Sequence, residues 1–272
     1  QSLAQKNLGQ GIELLYVNAT PDDRIGYNSL KTQEARIDLF DQFLKAAFNR
    51  YTPDKIAIAC NTLSVIYDAT DFASNATVEV KGIVDAGVAM VNAGMEKYPD
   101  HKLIIFATET TTEAGTYPRL ISANKADISA QECPGLAHAI SNDASGEGCR
   151  NLLSGYVDEA LQRFDDKPEN VTVFLGCTHY GYQTEIFKTL LGERGCASRI
   201  LNPNELLVEQ LVSSNQMTHS ADDEPLNIKF VSRYAIPQAE IESMESYLKD
   251  SAPQTLAALH NQIVEPNLFH LK

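Results

Sequence analysis

Short apolar runs alternate with amphipathic stretches along the whole 272-residue chain, and this alternation constrains the fold more than any other feature. The strand-like runs are residues 12–17, 55–59, 78–84, 102–106, 170–175, 198–201 and 228–232. Most of them precede residues at helical spacing, most clearly in 32–49 and 146–164. Repeated strand-helix units predict an α/β fold with parallel sheets, whose functional residues lie at the carboxyl ends of the strands.

The charge balance and the cysteines narrow the possible functions. The chain has 22 Lys and Arg against 36 Asp and Glu, a net charge of −14, without a basic cluster, so nucleic acids and anionic membranes are not expected partners. No apolar run approaches the roughly 20 residues of a membrane span. The cysteines number five and form no Cys-x-x-Cys pair, which predicts reduced thiols in a cytoplasmic protein and no metal site.

The residues around Cys60 are the first candidates for chemistry. Cys60 follows the strand-like run 55–59, and Asn61 and Thr62 lead from it into a helix-like segment, residues 63–69. A thiol at such a junction lies near exposed amides and the positive end of the helix dipole, which lower its pKa from about 8.5. Asn61 and Thr62 can cap the helix or bind a substrate carboxylate. A single cysteine in this position is more often a buried structural residue.

A second cysteine, Cys177, repeats this context. It follows the run 170–175 and precedes Thr178 and His179, whose imidazole can transfer protons near neutral pH. Two activated thiols on opposite sides of one pocket suit the inversion of a stereocentre, because one removes a proton from one face and the other returns a proton to the opposite face. Thiol and thiolate can exchange these roles, so the reaction requires no cofactor.

The segments Ile58-Ala-Cys-Asn-Thr62 and Leu175-Gly-Cys-Thr-His-Tyr180 resemble the two signature motifs of glutamate racemases, in the aspartate/glutamate racemase superfamily. Further similarity lies in residues 82–87, 107–111 and 133–134. The resemblance implies two similar parallel-sheet α/β domains related by pseudo-twofold symmetry, with the active site in the cleft between them. The first domain would comprise residues 1–99 and 204–272, and the second residues 100–203.

The resemblance also implies an activity and the roles of individual residues. Cys60 and Cys177 would be the two acid/bases, and His179 would assist Cys177. The residues implied to hold the amino-acid substrate are Asn61, Thr62, Thr111, Thr178 and Tyr27. The implied activity is the interconversion of L- and D-glutamate for peptidoglycan synthesis, without metal or pyridoxal phosphate, in a cytoplasmic homodimer.

The chain departs from the family pattern at two places. The family's first strand and its Asp-Ser-Gly turn have no counterpart, so we expect roughly 15 to 25 further residues before Gln1, with an acidic residue, a small residue and a glycine in succession. The alternative is that residues 251–272, where we expect one more helix, replace that strand. Ser141 stands where the family has a substrate-facing glutamate, with Asn142 and Asp143 beside it. Residues 213–225 are predicted to form a surface loop.

Two other functions agree with the same residues. One is a racemase or isomerase of the superfamily that acts on aspartate or another carboxylate. A glutamate after Cys177-Thr178 would favour aspartate as the substrate, and the histidine at position 179 argues against it. The other is a non-catalytic homologue that binds an amino acid but has lost turnover together with its carboxylates. Turnover of glutamate or aspartate by the purified protein distinguishes these alternatives.

Overall fold

The computed structural model describes residues 13–23, 25–124, 127–213 and 227–269. Its strands, in chain order, are β1 (Glu13–Val17), β2 (Lys55–Ile58), β3 (Glu79–Gly82), β4 (Lys102–Ala107), β5 (Ile128–Glu132), β6 (Asn170–Gly176), β7 (Ala197–Leu201), β8 (Asn227–Ser232) and β9 (Ile263–Val264). The α-helices are α1 (Gln33–Tyr51), α2 (Asn61–Ser64), α3 (Asp71–Asn75), α4 (Ile83–Lys97), α5 (Glu109–Glu113), α6 (Thr116–Leu120), α7 (Leu136–Asp143), α8 (Glu147–Leu161), α9 (Thr184–Glu193), α10 (Pro203–Ser213), α11 (Gln238–Leu248) and α12 (Pro253–His260). Short 3₁₀ helices lie at Tyr27–Ser29, Tyr67–Ala69 and Thr178–Gln183.

The chain divides into two compact units. Unit 1 comprises Gln1–Ala57, Ile66–Lys81 and Val208–Lys272, and unit 2 comprises Ile58–Val65 and Gly82–Leu207. Parallel strand pairing occurs in both units, together with many helices, which confirms the predicted α/β class. The predicted domain boundaries stay a prediction.

In unit 1, β8 pairs in parallel with β1 on one side and with β9 on the other. The long helix α1 begins after Thr32, whose hydroxyl accepts a hydrogen bond from the amide of Ala35 over 3.2 Å, an N-cap that satisfies an otherwise unpaired donor. Its buried face includes Phe40, and the buried ring of Tyr27 packs edge-on against Phe40. Tyr27 therefore contributes to the apolar core of unit 1.

Unit 2 contains a parallel sheet with the strand order β5-β4-β6-β7. The central strands β4 and β6 are buried along almost their whole length, as expected for strands that are covered on both faces. Leu103, Ile105 and Phe174 belong to a cluster that also includes Val84 and Val91 of α4. Burial of each such side chain contributes about 1.5–3 kcal/mol, so this core fixes the positions of the strand ends.

The structure corrects the prediction of one helix over residues 63–69. Helix α2 begins earlier, at Asn61, and ends at Ser64, and a separate 3₁₀ turn follows at Tyr67–Ala69. The Ser64 hydroxyl accepts a hydrogen bond from the amide of Val84 over 3.4 Å, and the buried side chain of Ile66 packs inward. These tertiary contacts, together with the low helix propensity of the β-branched pair Val65 and Ile66, outweigh continuation of the helix.

Other element ends differ from the predictions in smaller ways. Only residues 79–82 of the run 78–84 form a strand, β3. Gly82 is also the N-cap of α4, so Ile83 and Val84 belong to that helix. A single helix over residues 251–272 is wrong, since α12 ends at His260 and the chain then adds β9 to the edge of β8. Strand β5 was not predicted, because its sequence Ile-Ser-Ala-Gln-Glu is too polar to read as a strand. Almost all of the predicted loop 213–225, like the residues before Glu13, lies outside the described residues.

Candidate active site

The carboxyl ends of three neighbouring strands of unit 2 position the first group of polar residues. Ala107 at the end of β4 is in register with Gly176 of β6 and with Glu132 of β5. The next residues along the chain, Thr108, Cys177 and Cys133, therefore emerge at the same edge of the sheet. This is the location that the strand-helix pattern predicts for chemistry.

Cys60 also belongs to unit 2, at the N-cap position of α2. The first turn of α2 reaches the end of β4, where the hydroxyls of Thr62 and Thr108 are hydrogen-bonded over 2.8 Å. Cys177 has the same relation to the 3₁₀ helix that follows β6, because it is the N-cap residue of Thr178–Gln183. Each candidate thiol thus lies directly before a helical turn.

The threonines form a continuous chain of hydroxyl groups. Thr108 hydrogen-bonds Thr62 on one side and, over 3.0 Å, Thr111 on the other, and all three side chains are buried. Thr62 and Thr111, both predicted substrate residues, are therefore brought together by Thr108, which was not among the predicted site residues. The sequence does contain an indication of this role, because Thr108 directly follows a strongly apolar run, as Cys177 does.

Loss of the central hydroxyl tests whether this chain stabilises unit 2. We expect Thr108→Val to lower the free energy of unfolding by about 1–3 kcal/mol, because it leaves two buried hydroxyls without their shared partner. Urea denaturation measures the change. Thr112→Val is the matched control, since the hydroxyl of Thr112 is buried without a hydrogen-bond partner among the described residues and its removal should not destabilise the protein. Equal stability of the two variants would contradict the role of Thr108.

His179 lies next to Cys177 in space as well as in sequence. Its Nδ1 is 3.9 Å from the Cys177 sulfur, within reach of a weak hydrogen bond whose direction depends on the tautomer. Burial lowers the pKa of His179 below its ordinary value, because the charged imidazolium loses hydration. The imidazole is therefore neutral at neutral pH and has one nitrogen free of a proton.

The thiols are less acidic than the sequence predicts. Burial raises the pKa of Cys60, and burial together with the charge of Cys60 raises the pKa of Cys177 to about 12. The amides of Leu63 and Thr62 at Cys60, and those of His179 and Tyr180 at Cys177, lower these values but do not compensate for lost hydration. The expectation of lowered pKa values is therefore wrong. A negative charge on Cys60 further disfavours a negative charge on Cys177.

Asn61 is the most buried of the predicted substrate residues, with 1% of its surface exposed. Its Oδ1 accepts a hydrogen bond from the Tyr117 hydroxyl, whereas its Nδ2 has no hydrogen-bond partner among the described residues. A buried amide donor without a partner costs free energy that a bound acceptor would recover. Asn61 therefore has a donor available for a ligand.

Of the remaining predicted positions, only Thr178 is next to a candidate thiol. Thr178 is half-buried beside Cys177, Tyr27 is in unit 1, and Ser141 is half-buried near the end of α7.

Within the described ranges, no group of three or more His, Cys, Asp or Glu side chains could hold a metal ion. No helix in those ranges is both long enough and apolar enough to cross a membrane.

Comparison with known proteins points to one family by sequence. The glutamate racemase of Aquifex pyrophilus is 30% identical over 142 residues, which cover 52% of this chain and 52% of the relative. The chain thus spans about half of that relative's length, and it spans 61% of the length of glutamate racemases from Oceanobacillus iheyensis and Lysinibacillus sphaericus. No protein-family model matches the chain.

Solved structures share the fold. A glutamate racemase isoform from Bacillus anthracis superposes with a TM-score of 0.70 at 17% identity, over 91% of this chain and 88% of the other. The Francisella tularensis glutamate racemase in complex with D-glutamate gives a TM-score of 0.67 at 20% identity, over 91% and 89% of the two chains. The predicted resemblance is confirmed: the chain is similar to glutamate racemases in sequence and has their fold.

Proposed function

We propose that this protein is a cofactor-independent racemase that interconverts L- and D-glutamate, with Cys60 and Cys177 as its two acid/bases. The observation that carries the proposal is the pair of thiols, each at the N-cap of a helical turn in unit 2 and close enough for the charge of one to raise the pKa of the other. The names of the relatives, and the D-glutamate in the Francisella tularensis structure, support glutamate as the substrate.

The proposed reaction consists of two proton transfers. The thiolate of one cysteine removes the α-proton, so that an S–H bond forms while the C–H bond breaks and its electron pair remains on the α-carbon. The thiol of the other cysteine then protonates the opposite face and becomes a thiolate. The product has the opposite configuration, and the thiols have exchanged roles. His179, whose Nδ1 lies 3.9 Å from the Cys177 sulfur, is proposed to assist Cys177 by a hydrogen bond during these transfers.

The raised pKa values agree with this chemistry. A thiolate of high pKa is a stronger base toward the weakly acidic α-proton than a thiolate at a fully exposed helix start. The substrate's α-ammonium group supplies an opposite charge, and a nearby positive charge favours ionisation of a thiol. Binding of the substrate would therefore create the thiolate where the reaction needs it.

The proposed binding residues are Asn61, Thr62, Thr111, Thr178 and Tyr27. The unpartnered amide donor of Asn61 and the hydroxyl chain through Thr62 are suited to hold a carboxylate. We further propose that the product D-glutamate serves peptidoglycan synthesis in the cytoplasm and that the enzyme is a homodimer. The resemblance of the two cysteine motifs supports these points.

Circular dichroism of the substrate tests the proposal. Purified protein is incubated separately with L-glutamate, D-glutamate, L-aspartate and D-aspartate, and the signal of each amino acid is followed. We expect both glutamate signals to decay to zero and both aspartate signals to persist. Decay of the aspartate signals alone would show a racemase of different specificity, and persistence of all four would show a binding homologue without turnover.

A further inference from the structure

Tyr117, on α6, is connected to the candidate active site although no sequence motif assigned it a role. Its hydroxyl donates a hydrogen bond to Oδ1 of Asn61 over 2.5 Å, across 56 positions of the chain. Both side chains are 1% exposed, and both belong to unit 2. Asn61 directly follows Cys60 and is the first residue of α2, so this hydrogen bond acts on the helical turn that bears a candidate acid/base.

The direction of this hydrogen bond determines how the Asn61 carboxamide is oriented. Burial, with the negative charges of Asp85 and Cys60, raises the pKa of Tyr117 well above its ordinary value. The phenol therefore keeps its proton and acts as a donor, which binds the carboxamide through its oxygen. The nitrogen Nδ2 is then left as the buried donor without a protein partner in the described part of the chain.

The ring of Tyr117 has little freedom to move away from Asn61. It packs against Phe174 with ring centroids 4.6 Å apart. On another side lies Gly87, where an added Cβ would be 2.8 Å from Cε1 and 2.9 Å from the hydroxyl of Tyr117. These distances are too short for a side chain at position 87, so the glycine of α4 provides the space in which the phenol reaches Asn61.

We propose that Tyr117 is a positioning residue, which holds the Asn61 carboxamide so that Nδ2 donates a hydrogen bond to a carboxylate of the amino-acid substrate. This inference rests on the proposed function and adds to it the group that orients one substrate contact. Tyr117 itself touches no reacting atom. Its effect passes through Asn61, and it should therefore disappear when the carboxamide is absent.

A double-mutant cycle on the Michaelis constant tests this inference. We expect Tyr117→Phe, which keeps the ring and its packing, to raise KM for both L- and D-glutamate roughly tenfold, the effect of one hydrogen bond to a charged group. We expect kcat to change by no more than about twofold, because the reacting thiols are retained. In an Asn61→Ala background, Tyr117→Phe should raise KM no further.

Tyr98→Phe is the matched control, because it removes a phenol that accepts a hydrogen bond from Arg199 over 3.2 Å at the far end of α4. It should leave KM unchanged, and thermal unfolding of all variants separates lost stability from lost binding. The inference would be overturned if Tyr117→Phe left KM at the Tyr98→Phe value, or if its effect persisted in full without Asn61. If the wild type racemises glutamate and either of these results is obtained, the role of Tyr117 is refuted and the proposed function stands. If the wild type does not racemise glutamate, the proposed function is refuted and this inference with it.

Discussion

Replacement of either Cys60 or Cys177 by serine is expected to lower kcat for glutamate racemisation by about 10²–10⁴-fold, the contribution typical of one general acid or base. A serine hydroxyl preserves the size of the side chain, but it ionises far less readily than a thiol and cannot supply the required base. Both directions of the reaction should suffer, because each cysteine acts as the base in one direction and as the acid in the other. Racemisation followed by circular dichroism in both directions measures the loss.

Cys196→Ser provides the control for the cysteine variants. The Cys196 thiol is buried, as is that of Cys177, and it donates to the carbonyl of Pro168 over 3.1 Å, a hydrogen bond that a serine hydroxyl can maintain. We expect this variant to keep the wild-type kcat. Full activity in Cys60→Ser or Cys177→Ser would contradict the two-thiol reaction, and equal losses in all three variants would indicate a general effect of cysteine replacement.

A large dependence of kcat/KM on pH is also expected. Because the pKa values of Cys60 and Cys177 in the free enzyme are raised, the thiolate is the minor form near neutral pH. Its fraction grows tenfold for each pH unit below the pKa, so kcat/KM should rise roughly tenfold from pH 6.5 to 7.5 and again to pH 8.5. A plateau that begins below pH 8 would instead indicate a lowered thiol pKa, as the position at a helix start suggested.

The raised pKa values have a consequence for stability that is measurable without substrate. A group that is a weaker acid in the folded than in the unfolded protein stabilises the fold below its unfolded pKa, near 8.5 for a thiol. This stabilisation is lost as the pH rises toward the folded value, which is about 12 for Cys177. Within that window the free energy of unfolding should fall by about 1.4 kcal/mol per pH unit on account of Cys177, and Cys177→Ser should remove that part of the slope.

The features of the site that repeat in the sequence could be predicted, and those that depend on contacts between distant segments could not. Cys60 and Cys177 were identified because each follows an apolar run and precedes polar residues. Thr108 occupies a similar position at the end of β4, but its role becomes visible only when Thr62, 46 positions away in the chain, is seen to hydrogen-bond it. The hydrogen bond between Tyr117 and Asn61 is equally non-local.

The error in the thiol pKa values has a related cause. The sequence shows that Cys60 precedes a helical turn, and the effect of the amides there is real and lowers the pKa. It does not show how far tertiary packing removes water from this half-buried thiol, and desolvation is the larger effect. The same limit applies to residues 63–69, where tertiary contacts of Ser64 and Ile66, which the sequence does not show, add to the low helix propensity of Val65 and Ile66 in ending α2 at Ser64.

Racemisation in deuterium oxide shows whether the α-proton is exchanged during inversion, as a reaction between two thiols requires. Enzyme and L-glutamate are incubated in D₂O, and the D-glutamate formed in the first turnovers is analysed by mass spectrometry. Exchange of the cysteine S–H with solvent makes the returning acid S–D, so we expect one deuterium at the α-carbon of every D-glutamate molecule. D-Glutamate that retains the original α-hydrogen would contradict transfer between two thiols on opposite faces of the substrate.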